Sequence, residues 1–257
     1  MGKRIKLSVV YKDSIKACYG NIINNEPLEI EFDKEYNFIK EDIIIYTERV
    51  ENSKNTFLLN ISSINENKVT FTKAKQIESK LFNNHFLELS HIFNVKEYNI
   101  EDEEIYKDYV NKINIQELNS TASRLKEVYT RDDVDNRELI SFLIDINAKI
   151  DEILYILKPK TTITGAIEYK SLLISEDGIF FVSNSNIEKE NVMIYTTIRD
   201  GGGFFSFGAV CSVKEFIKTE NYIIYEAVFK NISYDIKDKI IKYMFRLERE
   251  MLKEANK

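Results

Sequence analysis

The chain has 257 residues, of which 44% are hydrophobic, so it can bury one large core or two small ones. Its 36 basic and 42 acidic residues give a net charge of −6, which argues against nucleic-acid binding as the main activity, since phosphate recognition needs a basic surface. Cys18 and Cys211 are the only cysteines, which excludes a disulfide framework and a four-cysteine zinc site.

The pattern of the first 73 residues predicts short β-strands separated by polar turns. Alternating or β-branched runs occupy residues 5–9, 28–32, 42–47, 57–61 and 69–71. Five such strands could close a small barrel or form an open sheet, and residues 13–23 could instead form a short helix. Residues 74–82 look helical, while residues 86–89 fit either state. We predict an N-terminal β-rich domain over residues 1–100.

From Asp102 the apolar spacing becomes helical, which predicts a helical connector over residues 101–160. A first helix is marked by Ile105, Tyr106, Val110 and Ile113. A second is marked by Leu118, Ala122, Leu125 and Val128, with Asn114 as a possible N-cap. The acidic group at 132–135 then precedes a third helix over residues 136–157, where negative charge favours a helix N-terminus.

The third helix carries an apolar seam, which we define as Leu139, Leu143, Ile146, Ile150, Ile153 and Leu157. Its 4-3-4-3-4 spacing is the heptad pattern of a coiled coil. Leucine at most a positions with isoleucine at most d positions favours assemblies above the dimer in parallel coiled coils. The seam therefore predicts a homo-oligomer. The alternative is that Leu125, Val128 and their neighbours fold back and bury the seam within one chain.

After Lys158-Pro159 the pattern changes to strands, because proline denies the preceding residue a helical conformation. Strands are predicted at 163–173, 179–182, 192–198, 204–218 and 222–229, followed by an amphipathic helix over 234–254 with Ser233 as its cap. Consecutive strands with tight turns predict an antiparallel barrel over residues 161–257. The predicted fold class is α+β.

Three segments of this region resemble the PilZ family. Residues 173–179, Leu-Ile-Ser-Glu-Asp-Gly-Ile, lie where that family has Asp/Asn-x-Ser-x-x-Gly between two strands. Residues 210–229 resemble its long central hairpin, and residues 229–233 and 240–250 resemble its closing strand and terminal helix. The resemblance implies a six-stranded-type barrel that senses cyclic di-GMP. It also implies an Arg-x-x-x-Arg pair before the first strand of that barrel.

This chain departs from the family at both ligand-binding elements. Leu173 stands where the acidic or amide residue should be, and Lys158 and Lys160 replace the arginines, whose planar guanidinium binds phosphate bidentately. Only Ser175 and Gly178 match, and a hairpin turn alone favours such residues. We therefore do not expect nucleotide binding in the usual mode. The alternative is a cyclic di-GMP site formed by Lys158, Lys160, Ser175 and Gly178. In that site Arg131 or Arg137 could also substitute for the arginine pair.

The seam also resembles a feature of an atypical PilZ sub-group. Members of that sub-group lack the arginine pair, carry a heptad helix directly before the barrel and form tetramers. Residues 143–154, Leu-Ile-Asp-Ile-Asn-Ala-Lys-Ile-Asp-Glu-Ile-Leu, are similar to that helix. The resemblance and the heptad spacing therefore predict the same kind of assembly.

No catalytic, metal or membrane motif is visible. There is no Gly-x-Ser-x-Gly sequence, neither cysteine has a histidine nearby, and His85 and His91 do not share a helix face. The glycines at 201–203 are interpreted as a hairpin turn, since no helix follows them to hold a phosphate. No apolar run approaches the roughly 18 residues of a membrane span, and no signal peptide is recognised. A cytoplasmic, non-membrane location is expected.

The sequence thus predicts a non-enzymatic bacterial PilZ-like regulatory protein that acts through protein–protein interaction and oligomerisation. Its expected partners are copies of itself and other signalling or motility proteins, with no nucleic acid and no metal. Two alternatives remain. In the first, the protein is a cyclic di-GMP receptor that regulates motility or surface attachment; in the second, it is a structural oligomeric scaffold whose barrel only orients the helix. No cofactor is expected, apart from cyclic di-GMP in the first alternative.

Overall fold

A computed structural model gives the fold of most of the chain. It describes residues 3–11, 14–33, 36–38, 43–50, 53–77, 81, 86–88, 92–120, 124–125, 128–129, 136–157, 165–200, 203–219 and 222–255. The acidic group at 132–135 and the lysines Lys158 and Lys160 lie outside these residues.

The N-terminal part is a closed antiparallel barrel of six strands in the order β1-β2-β3-β6-β5-β4. The strands are β1 (Arg4–Tyr11), β2 (Ser14–Asn25), β3 (Leu28–Phe32), β4 (Ile43–Val50), β5 (Ser53–Asn65) and β6 (Lys68–Ile77). Alternation decides which side chains face inward: in β3, Leu28, Ile30 and Phe32 are buried between half-buried glutamates. The predicted strands are confirmed. The helical alternative for residues 13–23 is wrong, since they belong mainly to β2, and residues 74–77 continue β6 as a strand.

The C-terminal part is a second antiparallel barrel. Its strands are β7 (Phe86–Glu88), β8 (Ile92–Glu97), β9 (Ile167–Ser175), β10 (Gly178–Ser183), β11 (Asn191–Asp200), β12 (Gly203–Lys218) and β13 (Ile223–Asn231). Strand β9 pairs with both β8 and β10, which closes the ring β8-β9-β10-β13-β12-β11, while β7 pairs with the end of β9. Asp200 pairs with Gly203, as expected for a β11–β12 hairpin.

One strand of this second barrel comes from an unexpected part of the sequence. Strand β8 precedes the helices, yet Val95 pairs with Ile167 in β9 and Ile194 in β11. Strands β8 and β9 are therefore neighbours in the barrel, although residues 98–166 separate them in the sequence. The division of the chain at residues 100 and 160 stays a prediction.

Three α-helices have described bounds: α1 (Glu103–Leu118), α2 (Arg137–Leu157) and α3 (Tyr234–Ala255). A 3₁₀ turn, Ile100–Asp102, precedes α1. The predicted cap of α3 is confirmed, because the Ile236 N–H donates to the Ser233 hydroxyl. The predicted amphipathic character of this helix is also confirmed: Ile236, Ile240, Tyr243 and Met244 pack into the core of the second barrel. Of the predicted second helix, the described residues 124–125 and 128–129 are helical.

Helix α1 differs from the predicted helix in how it packs. Asn114, expected as the cap of a second helix, lies inside α1 and is 4% exposed, whereas Ile105 is 68% exposed. The buried face consists of Val110 and Asn114. Asn114 is buried because its amide has two backbone partners, which offset the cost of removing it from water.

Those two partners belong to Gly208 of β12. The Asn114 Nδ2 donates to the Gly208 carbonyl at 3.0 Å, and the Gly208 N–H donates to Asn114 Oδ1 at 2.9 Å. The Ser206 N–H donates to the carboxylate of Glu117 at 3.0 Å. A Cβ at position 208 would lie 3.2 Å from a Val110 methyl, so glycine lets α1 approach the strand this closely.

Replacing Asn114 by leucine should destabilise the protein, because leucine keeps the volume and leaves two buried backbone groups of Gly208 without partners. We expect a loss of about 2–4 kcal/mol in the free energy of unfolding, measured by urea denaturation. Asn111→Leu on the exposed side of the same helix is the control and should change the free energy by less than about 0.5 kcal/mol. Equal losses for the two variants would contradict the role given to Asn114.

An apolar cluster joins the two barrels. It contains Ile45 of β4, half-buried Leu58 of β5, and Leu81, and it continues onto the outer face of the second barrel through Leu173, Phe180, Val182 and Ile224. This explains why β10 is buried on both sides: Ile179 and Phe181 face the barrel core, while Phe180 and Val182 face the cluster. The described structure is mostly β, and the α+β class stays a prediction.

Candidate functional site

The turn that resembles the PilZ motif is held together by the side chain of Ser175. The Ser175 hydroxyl donates to the Gly178 carbonyl at 3.2 Å and accepts the Asp177 N–H at 3.3 Å. Ser175 is fully buried, so its polar atom is satisfied inside the hairpin. Both matching residues of the motif thus have a structural role.

Gly178 is required by close packing between strands. A Cβ at this position would lie 2.2 Å from the Ala227 carbonyl oxygen of β13 and 2.9 Å from a Leu81 methyl. The same turn is tied to α3, because the Asp177 carboxylate forms an ion pair with Lys237.

Leu173, which replaces the Asp or Asn of the motif, is 1% exposed. It belongs to the apolar cluster between the barrels, together with Ile45 and Leu81. The side of the turn that this position faces is therefore filled by hydrophobic side chains. The structure brings Ser175 and Gly178 together within one hairpin turn, whereas Lys158 and Lys160 lie outside the described residues. The predicted ligand-binding role of these four residues stays a prediction.

The apolar seam lies on a solvent-exposed face of α2. Among its members whose side chains are described, exposure ranges from 38% at Ile146 to 56% at Leu139, and neighbouring Phe142 is 59% exposed. These five seam side chains and Phe142 together expose a patch on the order of 500 Å², at the upper end of what single-chain proteins leave in water. Leu125 and Val128, expected in the alternative to cover the seam, leave these side chains exposed.

Besides the exposed seam, α2 has a half-buried side and a polar side. Half-buried Ile140, Ile144 and Asn147 lie at helical spacing beside the seam, and α2 contacts β12 of the second barrel. Glu138, Ser141 and Asp145 are exposed on the polar side. The barrel thus supports the helix from one side, and the seam remains open.

A polar cluster that the sequence did not reveal holds the start of α1 against β13. The Glu103 carboxylate lies 2.9 Å from Lys230 Nζ and 3.0 Å from Lys107 Nζ. Hydrogen bonds from Lys230 and Lys107 favour the charged carboxylate and lower the pKa of Glu103. The local signal is the 4-3-4-3 spacing of Glu103, Lys107, Val110, Asn114 and Glu117, which places them on one face of a helix.

The buried titratable groups near this cluster are kept neutral. Tyr98 stacks on Tyr106 at 4.6 Å, and burial raises the pKa of its phenol above the ordinary range. Burial likewise raises the pKa of the Cys211 thiol, so neither group is poised as a nucleophile. Within the described ranges there is no group of three or more potential ligands for a metal ion. No described helix is both long and apolar enough to cross a membrane.

Two antiparallel barrels, with a Ser-x-x-Gly turn and a closing helix in the second, are the arrangement expected of a PilZ-like protein. No protein-family model and no curated protein matches the chain. Solved structures do match it. The Bacillus subtilis inhibitor of motility MotI/DgrA is 9% identical over 97% of this chain and 98% of its own, with a TM-score of 0.37.

Two further solved structures are similar. YcgR of Escherichia coli, in complex with c-di-GMP, is 10% identical over 98% of this chain and 87% of its own, with a TM-score of 0.37. A Xanthomonas campestris protein, described as a tetrameric PilZ domain self-assembled via a helical bundle, is 12% identical over 66% of this chain and 91% of its own, with a TM-score of 0.40. The predicted resemblance to PilZ-domain proteins is confirmed. At such identities and TM-scores, the likeness says nothing about the ligands or the assembly of this chain.

Proposed function

We propose that this chain is a non-enzymatic, cytoplasmic PilZ-like regulatory protein that assembles into an oligomer through α2 and acts by binding other proteins. We propose further that it does not bind cyclic di-GMP in the usual mode of the family. Its expected setting is signalling in motility or surface attachment. The observation that carries the first part is the exposed apolar seam.

The exposed seam supports self-association on energetic grounds. Each large apolar side chain contributes about 1.5–3 kcal/mol on full burial. Burying the six seam residues therefore contributes a gross stabilising free energy on the order of 10 kcal/mol per helix. A second copy of α2 presents the same apolar stripe and therefore matches it in length and spacing. Because β12 supports α2 from the side, the helix needs little reordering to associate.

The buried turn supports the absence of the usual nucleotide site. The Ser175 hydroxyl is used inside the hairpin, Leu173 is packed between the barrels, and Asp177 brings a carboxylate to the turn. A cyclic dinucleotide that used these positions would have to displace the apolar cluster and break the hydrogen bonds of the Ser175 hydroxyl. Both steps oppose binding, because one exposes apolar surface and the other removes the partners of a buried hydroxyl.

Two measurements test the proposal. Light scattering of the intact protein over a range of concentrations should give a mass well above the 30.2 kDa of one chain. Calorimetric titration with cyclic di-GMP should give no saturable heat. A protein that stays monomeric at high concentration would overturn the assembly, and micromolar binding abolished by Ser175→Ala would overturn the nucleotide part.

A further inference from the structure

Part of β12 has a strand on one side only. Its residues from Gly203 onward pair with β11, but β13 pairs with it only from Val210. The N–H groups of Ser206 and Gly208 point away from β11, since they are bound by Glu117 and Asn114 of α1. At this edge a helix supplies, through side chains, the hydrogen bonds that another strand would supply.

The helix that covers this edge buries few of its own side chains, with Val110 packed in a small cluster with Tyr98, Met193 and Val210. Of its 16 residues only Val110 and Asn114 are buried, and four apolar or aromatic side chains on it and just before it are largely exposed: Ile100, Ile105, Tyr109 and Ile115. Ion pairs fix its two ends, with Glu103 on Lys230 of β13 at 2.9 Å and Glu117 on Lys239 of α3 at 3.2 Å. Elements with little buried apolar area open at lower free energy than a barrel core.

We propose that α1 is a releasable strap: it lifts from β12 as a unit while the second barrel stays folded, and the two end ion pairs set how often it does so. Lifting breaks the three hydrogen bonds to Ser206 and Gly208 and separates Glu103 and Glu117 from their lysines. It also separates Val110 from the apolar cluster that contains Met193 and Val210. The hydrogen bonds between β11 and β12 remain, because they lie on the other side of the strand. A partner that binds α1 could thus open this edge without unfolding the protein.

Amide hydrogen exchange followed by nuclear magnetic resonance tests the strap, because neighbouring residues report different events. The amides of Phe205 and Phe207 point toward β11, and those of Ser206 and Gly208 point toward α1. We expect Ser206 and Gly208 to exchange at least about ten-fold faster than Phe205 and Phe207. Equal rates with equal denaturant dependence for all four amides would overturn the proposal.

Two charge-neutralising variants test the role of the ion pairs. Glu103→Gln and Glu117→Gln should each speed exchange at Ser206 and Gly208 by about three- to ten-fold, leaving Phe205 and Phe207 unchanged. Glu104→Gln is the matched control, since Glu104 is on the same turn but its ion pair is with Lys107 of its own helix. Higher salt should act in the same direction as the first two variants. A Glu104→Gln effect as large as that of Glu103→Gln would overturn the assignment of the end ion pairs.

Discussion

The double substitution Ile146→Asp and Ile150→Asp should convert the proposed oligomer into a monomer. Both side chains lie on the exposed seam of α2, so in an assembly each helix would bury two carboxylates among apolar groups. The lost apolar burial alone is about 3–6 kcal/mol per helix. At about 1.4 kcal/mol per tenfold, this weakens association by about 10²- to 10⁴-fold. Light scattering should then give the 30.2 kDa of a single chain.

Ser141→Asp is the matched control for this variant. Ser141 is exposed on the polar side of the same helix, so the substitution adds a carboxylate without touching the seam. Its mass should equal that of the wild type, and circular dichroism should show the same helix content in all three proteins. An unchanged oligomer mass in the double variant would show that the copies associate elsewhere.

Gly178→Ala should destabilise the second barrel more than any other single methyl addition at the turn. The added Cβ would lie 2.2 Å from the Ala227 carbonyl oxygen, so β10 and β13 would have to move apart. We expect a loss of about 3 kcal/mol, the upper end of the usual cost of overpacking. For a chain of this size the melting temperature should fall by about 6–12 °C, measured by scanning calorimetry.

Two polar side chains provide the comparison for Gly178. Ser175→Ala loses both hydrogen bonds inside the turn and should cost about 1–2 kcal/mol, whereas Asn184→Ala on the exposed loop after β10 should cost less than about 0.5 kcal/mol. A stable Gly178→Ala protein would mean that this glycine is not needed for packing. Its presence in the turn would then call for another explanation, such as ligand contact.

The strands and the seam could be predicted from sequence because each is encoded locally. Alternation in Leu28–Phe32 places every second side chain inward whatever the strand pairs with. The seam has a heptad spacing that requires only one continuous helix, and α2 is such a helix. Ser233 caps α3 through a hydrogen bond three residues away, which is again a short-range relation.

The remaining features depend on contacts that are distant in sequence. The pairing of Val95 with Ile167 gives no local pattern, so β8 was not recognised as part of the second barrel. Asn114 looked like a helix cap because asparagine favours caps, but Gly208, 94 residues away, provides its partners. Leu173 was recognised as a departure from the PilZ motif, yet its packing against the N-terminal barrel could not be inferred without the fold.

Because the chain returns at Ile167 to the strand beside β8, the helical segment is an insertion between two neighbouring strands of the barrel. Its removal would leave the Gly208 backbone without its Asn114 partners. Glu97 ends β8 close to where Ile167 begins β9. A short artificial turn could therefore join the two strands and leave all six strands of the ring in place. A fragment cut at residue 161, in contrast, would lack β8 and would expose the free edges of β9 and β11. The boundary that preserves this domain in a deletion experiment therefore lies ahead of Phe86.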